Sequence, residues 1–151
     1  MTQTVSHKTV SIKKKMNYSP AKVFKAFASV EARSEWSVPK GDAIKYFESD
    51  FSVGGKDVFK CGSPGSMDFS GVVQYEDITK NKRIISTETI THKKKKLSVA
   101  LVTIDLAKVD GGTIITLTAQ VCSLDGVDMS QGYKQGWSAV LGNLGEYLAR
   151  N

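Results

Sequence analysis

Residues 128–151, DMSQGYKQGWSAVLGNLGEYLARN, decide the fold. Trp137, Val140, Leu141, Leu144, Tyr147 and Leu148 recur at steps of three and four. That spacing lays one apolar stripe along a helix, with Ser138, Asn143, Glu146 and Arg150 on the opposite side. A helix of this length with a single apolar face needs a second layer to cover it. What precedes it is mostly β-rich. The pattern therefore predicts one long helix lying on a curved antiparallel sheet.

Working outward from that helix, the rest of the chain supplies the sheet. Residues 1–7 read as a loose start. Residues 9–16 form a strand with Val10, Ile12 and Met16 on one face and Lys14 breaking the alternation. Ser19-Pro20 is a helix opening: the serine hydroxyl can accept a free N–H of the first turn, and proline at the first helical position gives up an N–H that has no partner there. A short helix over Pro20–Ala28 follows, then a second over residues 31–36, ending before Pro39. Period-two segments come next, at residues 43–51, 57–61, 69–75, 83–90, 97–109 and 113–121, separated by Gly54-Gly55, by Gly62-Ser63-Pro64-Gly65-Ser66, by Lys80-Asn81-Lys82, by a lysine run and by Gly111-Gly112. Gly71 in mid-strand points to a bend or to close approach of another element. Short connections between consecutive strands imply antiparallel pairing, in a sheet of about seven strands. The order is strand, two short helices, six strands, long helix, forming an α+β fold in one domain over residues 1–151. A bent sheet wrapped around a long helix leaves a space between the two, and such a space is a natural ligand site.

Composition limits the alternatives. A chain of 151 residues fits one domain that buries roughly 68–70% of its unfolded surface, so it needs neither disulfide nor metal to fold. No apolar run approaches the roughly 20 residues of a membrane-crossing helix, and the N-terminal residues lack a signal-peptide core. A cytoplasmic protein is the expectation. Cys61 and Cys122 are far apart and read as ordinary thiols. His7 and His92 are the only imidazoles and lie in polar surroundings, so no metal site is expected. The net charge of +6 gathers at residues 13–15 and 93–96. The second run reads as a solvated connection between strands, with contact to phosphates or anionic lipid as the alternative. No aromatic residue interleaves with these lysines, which argues against stacking on nucleic-acid bases.

The order of elements and several local signatures resemble the START-like (SRPBCC, helix-grip) superfamily, and within it the family named for the activator of heat-shock protein 90 ATPase. The matching residues are Ser19-Pro20-Ala21-Lys22-Val23-Phe24-Lys25-Ala26-Phe27, then Trp36 with Pro39, then Asp50-Phe51-Ser52-Val53-Gly54-Gly55. Phe69-Ser70-Gly71, the Gly112-Thr113-Ile114-Ile115-Thr116-Leu117-Thr118 strand, and Gly136-Trp137 with Leu141, Leu144 and Tyr147-Leu148 complete the set. The resemblance spans nearly the whole chain. It implies the helix-grip fold, whose members bind lipids, hormones and polyketides or act as cyclases. The chaperone role belongs to eukaryotic two-domain proteins of the family.

The expected site lies between sheet and final helix. Trp137, Val140, Leu141 and Leu144 would form one wall, and Trp36, Phe59, Phe69 and Tyr75 the others, around a hydrophobic or aromatic small molecule. Simple core packing by the same aromatics is the competing reading. Asp50, Glu88 and Asp105 fall in strands, and their alternation suggests outward, solvated positions. No Ser–His–Asp arrangement, HExxH helix or phosphate-binding glycine loop occurs, and no cofactor or catalytic residue is assigned. Two further functions stay open: an interaction protein serving a chaperone ATPase, and a cyclase- or hydrolase-like enzyme.

Overall fold

The computed structural model describes residues 4–151. The expected loose start at residues 1–7 therefore falls partly outside the described residues, and Ser6 and His7 already belong to the first strand, β1 (Ser6–Met16). Two short helices follow, α1 (Pro20–Ala28) and α2 (Val30–Trp36). Six strands come next: β2 (Ala43–Ser49), β3 (Lys56–Ser63), β4 (Ser66–Thr79), β5 (Arg83–His92), β6 (Lys95–Val109) and β7 (Gly112–Ser123). The chain closes with α3 (Ser130–Arg150).

Local chemistry explains the helix ends. The Ser19 hydroxyl accepts the Lys22 N–H at 3.2 Å, with Pro20 in the first turn. Ser29 serves two helices. Its N–H donates to the Lys25 carbonyl and closes α1, while its hydroxyl accepts the Ala32 N–H at 3.1 Å and opens α2. At the start of α3 the Asp128 carboxylate accepts the Ser130 N–H at 3.0 Å and its hydroxyl at 2.6 Å, and binds Lys8 of β1 at 2.7 Å.

All seven strands form one antiparallel sheet in the order β1-β7-β6-β5-β4-β3-β2. Strands β2 to β7 are a run of hairpins, and β1 pairs with β7. Strands β1 and β2 thus lie on opposite edges, and α1 and α2 carry the chain from one edge to the other. The connections are tighter than the sequence suggested. The lysine run contributes only Lys93-Lys94 to a turn, with Lys93 at φ 56°, because Lys95 and Lys96 already pair with β5. The Pro64-Gly65 turn alone separates β3 from β4.

The core forms where the inner sheet face meets the helices. Ile115, Leu117, Ala119 and Val121 of β7 and Ala100, Val102, Ile104 and Leu106 of β6 supply the floor. Leu141, Leu144 and Leu148 of α3, with Val23, Phe24 and Phe27 of α1, cover it. Fully burying a side chain of this kind contributes about 1.5–3 kcal/mol. The close neighbours of α3 are β1, β7, α1 and α2. It runs parallel to β1: Lys8 meets Asp128 at its start, Gly142 lies beside the Lys14 ammonium, and Gly145 sits over the Met16 sulfur. The helix is therefore seated towards one edge of the sheet, and the inner faces of β3 to β5 are roofed by side chains rather than by helix backbone.

Candidate functional site

A cavity of about 130 Å³ lies in the space that this offset leaves. Trp36 of α2, Phe59 of β3, Val73 and Tyr75 of β4, Val102 and Ile104 of β6, and Trp137 of α3 line it. Two substitutions of bulk for space shape the wall. Gly71 of β4 pairs with Phe59, and the Phe59 ring occupies the space where a side chain at Gly71 would stand. The close approach that a mid-strand glycine suggested is thus the approach of this ring. In β5 the position facing Tyr75 is Ser86, whose small side chain leaves room.

A second, wider chamber of about 360 Å³ adjoins the first. Phe69, Ile90, Met129, Tyr133 and Val140 line it, and Gly132 and Gly136 of α3 leave its rim open. Ser37, Val38, Cys61, Glu88 and Trp137 line both spaces and so form the neck between them.

The closed end of the inner chamber is polar. Arg33 of α2 and Asp57 of β3 are 6% and 3% exposed, and pair at 3.0 Å. The Asp57 carboxylate also accepts the Ser49 hydroxyl at 2.7 Å and the Tyr75 hydroxyl. Arg33 further donates to the Phe27 carbonyl and to Ser49, and its guanidinium stands 5.4 Å over the Tyr46 ring. Burial holds the Tyr75 hydroxyl above its ordinary range and its bond to Asp57 acts in the same sense, so it stays protonated and donates. Three donors on one carboxylate are what a buried ion pair requires to offset its loss of hydration. The Arg33 Nε–H remains buried without a partner.

The neck has a different character. Burial pushes the Cys61 thiol up to about 11, with Glu88 and Asp42 adding to the shift, so it stays neutral at physiological pH. Burial likewise raises the Glu88 carboxyl above its ordinary value. The Tyr133 hydroxyl lies beside Glu88 and Ser98, yet neither it nor the Ser98 hydroxyl has a partner in hydrogen-bonding geometry. Among the described residues no group of three or more His, Cys, Asp or Glu is placed to hold a metal. No helix among them is long and apolar enough to cross a membrane.

The structure distributes the expected site residues in three ways. Trp36, Phe59, Tyr75 and Trp137 face the inner chamber, while Phe69, Val140 and again Trp137 face the outer one. Leu141 and Leu144 are fully buried and pack in the core, outside either lining. Asp105 is exposed, as its alternation suggested; Asp50 is exposed too, but lies just past the end of β2 rather than within a strand as expected. Glu88 corrects that reading. It shares the inward face of β5 with Ile84, Ser86 and Ile90, and that shared parity was the available signal. The sequence reading missed Arg33, Tyr46 and Asp57. Asp57 does have the parity of Phe59 and Cys61, but nothing local marks its partner, 24 residues away on a helix.

A bent antiparallel sheet gripping a long C-terminal helix, with a hollow between them, defines the helix-grip class. The family described as activator of Hsp90 ATPase homolog 1-like protein matches residues 17–149. The chain belongs to that family. Among solved structures it is similar to an uncharacterised protein from Rhizobium leguminosarum, at 26% identity and a TM-score of 0.90 over 100% of both chains. It is similar also to the Mll3558 protein from Rhizobium loti, at 30% identity and a TM-score of 0.87, covering 95% of this chain and 99% of that one. The CV1439 protein from Chromobacterium violaceum shares the fold, with a TM-score of 0.81 at 22% identity over 93% of this chain and 96% of that one. No curated protein matches.

Proposed function

We propose that this protein binds a hydrophobic or aromatic small molecule between the sheet and α3, as a cytoplasmic binding protein rather than an enzyme. The observation that supports this reading is the aromatic-lined inner chamber, opening through a neck into a wider one. Trp36, Phe59, Tyr75 and Trp137 surround the ligand ring. Phe69 and Val140 contact whatever part of it reaches the outer chamber. Leu141 and Leu144 act behind Trp137 and Val140, fixing the helix that carries them. The rigid Arg33–Asp57–Tyr75 network keeps the closed end in shape.

Trp36 and Trp137 are the only tryptophans, and both line the inner chamber, so tryptophan emission reports on this site alone. Native mass spectrometry of freshly purified protein should show a retained low-mass ligand or, after delipidation, a saturable emission change with single-ring aromatics. Bare protein whose emission responds to none of them removes the reading. The competing chaperone role draws on the family's description and the +6 charge. Stimulation of a chaperone ATPase by this protein, equal in a Trp137→Ala variant, would favour it instead.

A further inference from the structure

The geometry points to Glu88 as the polar anchor of this site: its carboxyl, backed by the Tyr133 and Ser98 hydroxyls, hydrogen-bonds a neutral oxygen group, carbonyl or hydroxyl, on an aromatic ligand whose ring fills the inner chamber. This inference rests on the cavity reading above and names the ligand class within it.

Position is the first argument. Glu88 lines both chambers, so it stands at the neck, where a substituent on an enclosed ring would emerge. Its side chain is half-buried and contributes to the lining on both sides of the neck.

Its surroundings give the second. Tyr133 of α3 is 6% exposed and Ser98 of β6 is fully buried, and both hydroxyls lack a partner in hydrogen-bonding geometry. Unpartnered polar atoms in an interior are costly unless something satisfies them. Glu88 and Ser98 are the polar neighbours of the Tyr133 hydroxyl, so a bond from Tyr133 to Glu88 is the one available to satisfy it. Tyr133 and Ser98 are thus positioning residues, and Glu88 is the group that touches ligand. Cys61 of β3 is the other titratable side chain at the neck, and its thiol is neutral. The ion pairs among the described residues are Lys8–Asp128, Arg33–Asp57, Lys40–Glu146 and Arg83–Asp77, so no cation holds Glu88.

Chemistry then selects the ligand. Burial raises the Glu88 carboxyl above its ordinary value, against the lowering by the Tyr133 hydroxyl; in its protonated form the anchor offers an O–H, and an oxygen acceptor is its complement. An anionic ligand would meet no positive charge at the neck, and Arg33, the cation of the inner lining, is already paired with Asp57. A cationic one would surrender its hydration to apolar walls, which is expensive for an incompletely paired charge. Size fixes the ring count: about 130 Å³ is close to the roughly 150 Å³ of an apolar cavity that accepts benzene.

The test is calorimetric titration of the intact protein with four single-ring probes: toluene, acetophenone, benzylamine and benzoate. Wild type should bind acetophenone about tenfold tighter than toluene, the increment of one buried hydrogen bond, and should bind benzylamine and benzoate more weakly than toluene. Glu88→Gln keeps a donor in place and should retain the acetophenone preference. Glu88→Leu should lose it while still binding toluene. Raising the pH should weaken acetophenone binding to wild type but not to Glu88→Gln, a comparison that holds even if the leucine variant does not fold. The inference is overturned if wild type does not distinguish acetophenone from toluene, if Glu88→Leu keeps the preference, or if benzylamine binds tightest. Failure of all four probes, toluene included, would overturn the cavity reading itself and this inference with it.

Discussion

Asp57 and Glu88 are two inward carboxyls on neighbouring parts of one sheet face, and their environments treat them oppositely. Asp57 is clamped by Arg33, Ser49 and Tyr75, so its charge is matched where it stands. Replacing Arg33 by Met leaves that charge buried and uncompensated, and should cost about 3–5 kcal/mol in urea denaturation. The double replacement Arg33→Met with Asp57→Leu should recover most of the loss, because no unpaired charge remains. Glu88 has no cationic partner, and burial raises its folded-state value above the ordinary carboxylate range. A raised folded pKa means that the native state holds its proton more tightly than the unfolded chain does. The associated stability is full below the unfolded value and is lost as pH rises through the folded one. Glu88→Gln should therefore raise the melting temperature at pH 8, with the gain shrinking towards pH 4, as followed by circular dichroism. A gain independent of pH would show that Glu88 is not held in a charge-disfavouring site.

Elements were legible in proportion to how local their causes are. Ser19-Pro20 fixes the start of α1 through bonds within a single turn, and the sequence marked that boundary correctly. The stripe from Trp137 to Leu148 likewise announces α3. The lysine run is the exposed connection between β5 and β6 that its charge suggested, but charge does not give length; only two of its residues are needed to reverse the chain. Bulges also obscure strand parity. Tyr46 and Glu48 are consecutive pairing residues of β2, as are Tyr75 and Asp77 of β4, so the inward face changes register between them. In α3 the glycines carry a prediction. A side chain at Gly132 or Gly136 would meet open space, whereas Gly142 and Gly145 lie against Lys14 and Met16. Gly132→Ala and Gly136→Ala should each stabilise by about 0.5–1 kcal/mol, since alanine is the better helix former. Both glycines border the outer chamber, so the double variant should also bind ring ligands more slowly. Stopped-flow fluorescence with an unchanged association rate would contradict the role of that rim.

At the scale of the molecule, the hollow exists because α3 follows β1 along one edge and leaves β3 to β5 roofed by side chains. The helix-grip architecture could be read from the order of elements and the closing amphipathic stretch. The offset of the helix could not, because it depends on where Gly142 and Gly145 admit Lys14 and Met16 of a strand more than a hundred residues earlier. For the same reason Trp36, Phe59, Tyr75 and Trp137 were identifiable as inward aromatics, while the separation of Leu141 and Leu144 from the hollow was not. Arg33 and Asp57 were invisible for a related cause: a polar residue looks solvated until a distant partner is known. The central claim is that the hollow beside Trp137 accepts a ring. The most direct measurement is a ¹H–¹⁵N titration with acetophenone, reading the two indole N–H signals. The account predicts that the Trp36 and Trp137 signals shift saturably with a common midpoint. Signals that stay fixed, or that drift linearly to the solubility limit, would contradict it.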